Sequence, residues 1–417
     1  MMFRRRKLQP LEDRGPLKVM FVITSMPVGG AETLLVNLVR RMDRSRFSPE
    51  LCCLKEFGPL GEVLADEIPA FEKLIRHKYD LSVIGRLAEL MNRRGIDAVV
   101  TVGTGGDKMF WGRLGAMRVG MPVILSALHS TGLPDHVEFP NRLLAPFTDG
   151  FIGVAKPHGE YLAKSEGCPR HKVFVIPNGV DVERFSPTEP SRELAAAIGL
   201  PWQAPTAAIV AALRPEKNHE LFLASAARAL KQVPESRFIV IGDGPRRAQL
   251  EVLATELGIR EAVHFLGTRS DVPQLLALVD VLVLSSHMEA NPVSILEGLA
   301  CGKPVVSTRV GSIAESVKHG KNGLLVDPGS EEQLGAAVAG LLADRELARE
   351  MGQIGRETVV SDWSLQRMVD GYQDLIQSIY IAKTNSCGFG YVSPASTVAD
   401  TKSTQIHNSE HCETTAP

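Results

Sequence analysis

The stretch Lys18 to Val39, KVMFVITSMPVGGAETLLVNLV, decides the fold. It begins as a short apolar run rich in Val and Ile and breaks at Pro27-Val28-Gly29-Gly30-Ala31-Glu32. A helical pattern follows through LLVNLV, so the stretch reads as strand, glycine loop, helix. Adjacent glycines let a ligand approach the backbone, and the helix terminus behind them offers unpaired N–H groups to an anion. A tight turn with no ligand would use the same two glycines. Neither the G-x-G-x-x-G dinucleotide fingerprint nor the G-x-x-x-x-G-K-S/T phosphate loop is present.

Similar units repeat along the chain. Buried-strand patterns recur at residues 98–102, 122–127, 150–155 and 173–177, with helical stretches between several of them. Short apolar strands alternating with amphipathic helices predict a largely parallel sheet covered on both faces. From Ile176 the segment IPNGVDVERFSPTEPSRE is rich in turn formers and marks a domain boundary. A second strand series then opens at 207–213, 236–242, 263–267, 279–286 and 303–308. Two successive parallel-sheet domains fit this pattern better than one enlarged barrel. The expected fold class is α/β, with two Rossmann-like domains. The expected division is a basic leader at 1–17, an N-terminal domain at 18–180, a linker at 181–203 and a C-terminal domain at 204–365. Helix 366–382 is expected to cross back to the first domain, ahead of a polar mobile tail at 383–417.

At 417 residues the chain is long enough for two domains of about 150 residues each. Its 44% hydrophobic and 23% charged residues are those of a globular protein. Forty-six Lys and Arg against 48 Asp and Glu leave a formal charge of -2, so no global positive field points to nucleic acid. The first twenty residues carry Arg4, Arg5, Arg6, Lys7, Arg14 and Lys18 against Glu12 and Asp13, a local +4 that could touch an anionic membrane surface or simply be solvated. No apolar run approaches the roughly 20 residues that span a bilayer. Six cysteines at 52, 53, 168, 301, 387 and 412 lack zinc or disulfide-scaffold spacing, which points to a reducing cytosolic compartment. Cys301 has no local Cys-His arrangement and is expected to be structural. His407, His411 and Cys412 match metal ligands in type alone, and no metal is expected.

The second domain carries the more specific chemistry. Leu213-Arg214-Pro215-Glu216-Lys217-Asn218-His219 follows a strand, so Arg214 and Lys217 are placed either beside a developing phosphate charge or as solvated cations. Gly242-Asp243-Gly244-Pro245 ends another strand, where Gly242 permits close approach of a ligand or a neighbouring loop and Asp243 suits a turn. His287-Met288-Glu289-Ala290-Asn291-Pro292-Val293-Ser294-Ile295-Leu296-Glu297 follows VDVLVLSS. Pro292 can begin a helix, leaving Glu289 in the loop and Glu297 in the first helical turns. Such carboxylates can accept several hydroxyl hydrogen bonds, although a loop charge and a capping charge would leave the same trace.

The ordered set Gly29-Gly30-Ala31-Glu32, IPNGVD, LRPEKNH, GDGP, Glu289 to Glu297 and GSIAESVKHGKNGLLVDPG resembles the family-four retaining glycosyltransferases of GT-B architecture, over roughly residues 18–380. The resemblance implies a UDP- or GDP-sugar donor held mainly by the C-terminal domain. Glu289 would meet hydroxyls of the transferred sugar, Glu297 the nucleotide ribose and Lys217 the diphosphate. Gly29 and Gly30 would close over the phosphates, Gly242, Asn291, Pro292 and Val293 would line the donor site, and His129 would lie beside the reacting centre. Asn178 and Gly179 would shape the connector, and Gly311, Ser312 and Glu315 a donor-facing loop. One departure stands out: Ala212 occupies a position where the family commonly has a diphosphate-holding Arg, and Arg214 is expected to compensate.

These readings predict a hexosyltransferase with no separate cofactor, acting in the cytoplasm or at the inner face of a membrane. The acceptor is expected to be a saccharide, including a lipid-linked saccharide of envelope or exopolysaccharide synthesis. Synthesis of a soluble glycoside or glycogen-like chain is the alternative, as is a weakly active protein that binds sugar nucleotides or polysaccharide.

Overall fold

The computed structural model describes residues 8–77, 80–103, 109–129 and 138–385. Residues Arg4 to Lys7 of the leader, and His407, His411 and Cys412, lie outside them.

The first sheet comprises β1 (Leu17–Ile23), β2 (Phe47–Cys53), β3 (Ala70–Phe71), β4 (Ala98–Gly103), β5 (Val123–Leu128), β6 (Gly150–Gly153) and β7 (Val173–Val175). Its order is β3-β2-β1-β4-β5-β6-β7, with every pair parallel. The second sheet comprises β8 (Thr206–Val210), β9 (Arg237–Ile241), β10 (Val263–Gly267), β11 (Val281–Leu284), β12 (Val305–Thr308) and β13 (Gly323–Val326). Its order is β10-β9-β8-β11-β12-β13, again parallel throughout. Both are doubly wound sheets whose order reverses beside their first strand, between β1 and β4 and between β8 and β11. At such a point successive crossovers leave toward opposite faces, and a crevice opens beyond the strand ends.

β2, β3 and β13 have no counterpart in the apolar pattern. In β2, Pro49 and Glu50 interrupt the run, yet Glu50 is only 1% exposed. The guanidinium of Arg94 compensates that buried carboxylate at 2.9 Å, which removes the main objection to placing an acid inside a sheet.

The chain crosses between domains twice, at 176–180 and 363–365. The crossings are joined, because the Val180 N–H donates to the Trp363 carbonyl at 2.9 Å and the Leu365 N–H donates to the Val180 carbonyl at 2.8 Å. Gly179 has to be small here, since a Cβ would lie 2.6 Å from the Ser364 carbonyl oxygen. Beyond the second crossing, the helix Leu365–Asn385 presents Met368, Val369, Tyr372, Ile376 and Tyr380 to the same core as Phe21, Val100 and Val123. Burying each of the large aliphatic side chains contributes about 1.5–3 kcal/mol before entropy is counted. Arg14 fastens the arrangement by pairing with Asp97 and Tyr380.

Within the 181–203 connector, the helix Arg192–Ala197 is capped by the Ser191 hydroxyl, which accepts from the Leu194 N–H at 3.1 Å. Ala195 and Leu200 pack with Ala208 and Ile239 of the second sheet. The later half of the connector is thus part of the second core and not bare chain. Among the described residues no helix is long and apolar enough to cross a membrane, and no group of three or more His, Cys, Asp or Glu could hold a metal ion.

Candidate active site

The loops after β8 and β11 leave the second sheet at its switch point and are joined to each other. Ser285, at the end of β11, donates its hydroxyl to the carbonyls of Asn218 at 2.8 Å and Lys217 at 3.1 Å. The His287 N–H donates to the Glu216 carbonyl at 2.9 Å. Asn218 takes a left-handed conformation, φ 49°, and its side chain caps the helix His219–Leu230. That turn delivers Lys217 to Glu289, 72 positions further along the chain: Nζ stands 2.5 Å from Oε1. The same carboxylate oxygen accepts from the Ser286 hydroxyl at 2.7 Å, and the Ser286 carbonyl accepts from Thr308 at 2.7 Å. Glu289 is 8% exposed and Lys217 more open, so a largely desolvated carboxylate is held by a cation and a hydroxyl. Its main chain is fixed from behind by Gly311, φ 53°, where any Cβ would collide with the Glu289 carbonyl.

Pro292 occupies the cap of the helix Val293–Ala300, which places Glu297 within the helix. Burial pushes the Glu297 carboxyl up to about 7, with Arg184 of the connector opposing the shift. No side-chain hydrogen bond joins Glu297 to Glu289 or Lys217 among the described residues.

The first domain brings its glycine loop to this helix. Gly29 caps the helix Gly30–Arg41, and a Cβ on Gly30 would lie 3.9 Å from Val293 Cγ2, across the cleft. Glu32 folds back over its own loop, so a Cβ at Gly29 would meet its carboxylate at 2.3 Å. Burial raises the proton affinity of Glu32, its own backbone N–H opposes that, and Arg214 of the second domain opposes it further. Arg214 is exposed and forms no ion pair among the described residues. Its charge reaches Glu32 of the glycine loop from the second domain, and Ala212 nearby is half-buried.

Gly242 has φ 140°, and a Cβ there would lie 2.1 Å from the Ala211 carbonyl; at Gly244 it would lie 2.6 Å from that of Leu213. Both glycines let the GDGP turn pack beneath the 211–214 loop. Asp243 closes that turn by accepting from the Gly244 N–H at 2.7 Å.

His129 extends from the end of β5, and its N–H donates to the Gly103 carbonyl at the end of β4, 3.0 Å away. Burial, with His158 adding to it, lowers its proton affinity to about 4, so the imidazole is neutral near pH 7. Cys301 is buried, and desolvation pushes its thiol up to about 12, which leaves it inert as a nucleophile. Two expected donor-side groups turn toward the first domain: the Asn291 side chain donates to the Val154 carbonyl at 2.8 Å, and the Glu315 carboxylate accepts from the Lys156 N–H at 3.2 Å. The sequence gives no role to Ser285, Ser286 or Thr308, and holds Glu32 within the glycine-loop motif without a role of its own. Of these, the serine pair ending VDVLVLSS carried a usable signal, being two hydroxyls at a strand end beside the switch point.

Two doubly wound domains, with loops from their strand ends meeting across one cleft, define an enzyme of GT-B architecture. Residues 28–184 match Glycosyltransferase Family 4 and residues 191–358 match Glycosyl transferases group 1. The chain belongs to these GT-B glycosyltransferases, enzymes that act on nucleotide-sugars. It is 26% identical over 385 residues to the UDP-Gal:alpha-D-GlcNAc-diphosphoundecaprenol alpha-1,3-galactosyltransferase of Escherichia coli, covering 88% of this chain and 98% of that one. An N-acetyl-alpha-D-glucosaminyl L-malate synthase of Bacillus anthracis is 26% identical over 306 residues, 72% of this chain and 80% of that one. In fold the chain resembles HepE of Anabaena, crystallised with UDP and glucose, at a TM-score of 0.76 and 21% identity, covering 87% of this chain and all of that one.

The raised proton affinity of Glu297 makes a stability prediction. A carboxyl that titrates near 7 when folded, against an ordinary 4.5, adds stability at low pH that is lost as pH rises through about 7. Glu297→Gln removes that loss. Thermal melts should show the variant gaining on the parent between pH 5 and pH 8, by on the order of 1–3 kcal/mol. A constant offset across that range would contradict the burial of this group.

Proposed function

We propose that the protein is a retaining hexosyltransferase that moves a sugar from a UDP- or GDP-sugar to a hydroxyl of a lipid-linked saccharide in envelope or exopolysaccharide synthesis. The observation that carries this reading is the Lys217–Glu289 pair at the switch point of the second sheet, below the glycine loop of the first. Cleavage of the bond between the anomeric carbon and the diphosphate leaves negative charge on the departing phosphate and positive charge on the sugar. Lys217, Arg214 and the N–H groups at Gly30 would stabilise the first. Glu289 would accept hydrogen bonds from the sugar hydroxyls, and Glu297 from the ribose.

The acceptor oxygen bonds to the anomeric carbon on the face the phosphate leaves, and its proton passes to a phosphate oxygen or to the neutral imidazole of His129. Same-face exchange retains configuration. The lipid-linked acceptor is supported by the Escherichia coli relative, whose name specifies a diphosphoundecaprenol-linked sugar, and by a basic leader suited to an anionic membrane surface at the cytoplasmic side. A small soluble acceptor is the second reading, favoured by the Bacillus anthracis relative named for L-malate.

Incubating the protein with a nucleotide-sugar library and a mixed acceptor extract, followed by mass and NMR analysis, tests both readings. An α-linked product on a lipid-linked saccharide from an α-linked donor is expected. An inverted linkage would overturn retention, and a product only on small acids would select the second reading. Arg214→Ala should weaken binding of the free nucleoside diphosphate about 3- to 10-fold in calorimetry, the scale of one partly solvated charged contact. Unchanged binding would remove Arg214 from the phosphate site.

A further inference from the structure

Buried amides join the domain crossing to the loop that carries Glu289. Asn178 lies in the first crossing, 5% exposed, and donates its side-chain N–H to the Asn291 carbonyl at 2.8 Å. Asn291, 7% exposed, donates its own side-chain N–H to the Val154 carbonyl at 2.8 Å, at the end of β6. The Val154 N–H in turn donates to His158 Nδ1 at 3.1 Å. The register pairs Ala127 with Ile152, two residues short of His129 and of Val154 respectively. Asn291 is two residues from Glu289 and adjacent to Pro292, which caps the helix carrying Glu297.

We infer that Asn178 and Asn291 are positioning residues that transmit the relative orientation of the two domains to Glu289. The short segment between Glu289 and Pro292 has little freedom. Gly311 packs against the Glu289 carbonyl at one end, and at the other Asn291 is bonded to both the crossing and the first domain. Rotation about the joined crossings at Val180 and Leu365 therefore displaces the anchors of this segment, and the Glu289 carboxylate moves with it. One side-chain N–H of each asparagine is committed to a buried main-chain carbonyl, so both amides are oriented by the protein itself. Donor affinity should then be nearly independent of both side chains, whereas the turnover reached after closure should depend on both.

This inference rests on Glu289 being the carboxylate that meets the transferred sugar, so the test includes Glu289→Gln as a separate arm. UDP and GDP are titrated into the parent to establish which binds, and that nucleotide is the binding probe. Turnover is followed with the nucleotide-sugar that the parent uses. Asn178→Ala and Asn291→Ala are expected to lower kcat at least 10-fold, with nucleotide affinity within about 3-fold of the parent. The double variant should be no worse than the weaker single one, as for a single coupled unit. Affinity falling in step with kcat would make the asparagines donor ligands and overturn the inference, as would unchanged kcat or fully additive losses. If the alanine variants fail to fold, Asn178→Ser and Asn291→Ser carry the same comparison, since the shorter hydroxyl loosens each bond while keeping a donor. Loss of turnover in Glu289→Gln alongside intact turnover in the asparagine variants would leave the site assignment standing and remove only the coupling.

Discussion

Replacing Lys217 by alanine is expected to lower sugar transfer by roughly 100- to 1000-fold, the loss of about 2.7–4 kcal/mol that accompanies removal of one well-aligned donor to a developing anion. The effect should fall mainly on kcat, because the phosphate gains negative charge as the glycosidic bond breaks and the ammonium binds that state better than the intact donor. The substitution also strips Glu289, 8% exposed, of the cation 2.5 Å away. Among the described residues, only the Ser286 hydroxyl would then support that carboxylate. Lys217→Arg separates the two effects: it keeps the charge beside Glu289 and restores stability, but its planar fork does not match the point contact of an ammonium. Parent-like turnover in a folded Lys217→Ala protein would exclude Lys217 from the reaction.

The second large effect is expected from Glu289→Gln. The amide keeps the shape of the side chain, but it loses the charge that pairs with Lys217 and one of the acceptors available to sugar hydroxyls. Transfer should fall on the order of 100-fold, in the range for one charged contact that strengthens in the transition state. Binding of the free nucleoside diphosphate should change little, because that molecule carries no sugar for Glu289 to hold. Steady-state kinetics and calorimetry read the two quantities separately. A variant that binds nucleotide poorly yet turns over normally would reverse the roles of Glu289 and the phosphate-binding groups.

Much of this architecture was legible in the chain because parallel strands buried on both faces read as short apolar runs. β4, β5 and β8 to β12 lie within one to three residues of those runs. β2 was hidden by Pro49 and by Glu50, whose partner Arg94 is 44 residues away and invisible to a local pattern. β3, two residues long, is too short to show a period.

The site divides similarly. Loop chemistry singled out Lys217, Glu289 and the glycine loop, but only the sheet order puts the first two side by side. The sequence leaves Gly242 open between a ligand and a neighbouring loop, and the resemblance places Gly311 in a donor-facing loop. Their surroundings give the packing reason for glycine: at each, a neighbouring carbonyl occupies the space of a Cβ. The resemblance places Asn291 among the donor contacts. Sequence could not show that its side chain also donates to the Val154 carbonyl, since that partner belongs to the other domain and is a backbone atom. The Ala212 departure was visible, whereas the position of Arg214 opposite Glu32 required the two domains to be set face to face.

The most direct test of the central claim is a crystal structure of the protein with its nucleoside diphosphate sugar bound. Lys217 Nζ should lie within about 3 Å of a diphosphate oxygen, with Glu289 on the sugar hydroxyls, Glu297 on the ribose and the phosphates beneath Gly29 and Gly30. A donor seated elsewhere, with Lys217 and Glu289 still paired only to each other, would contradict the account.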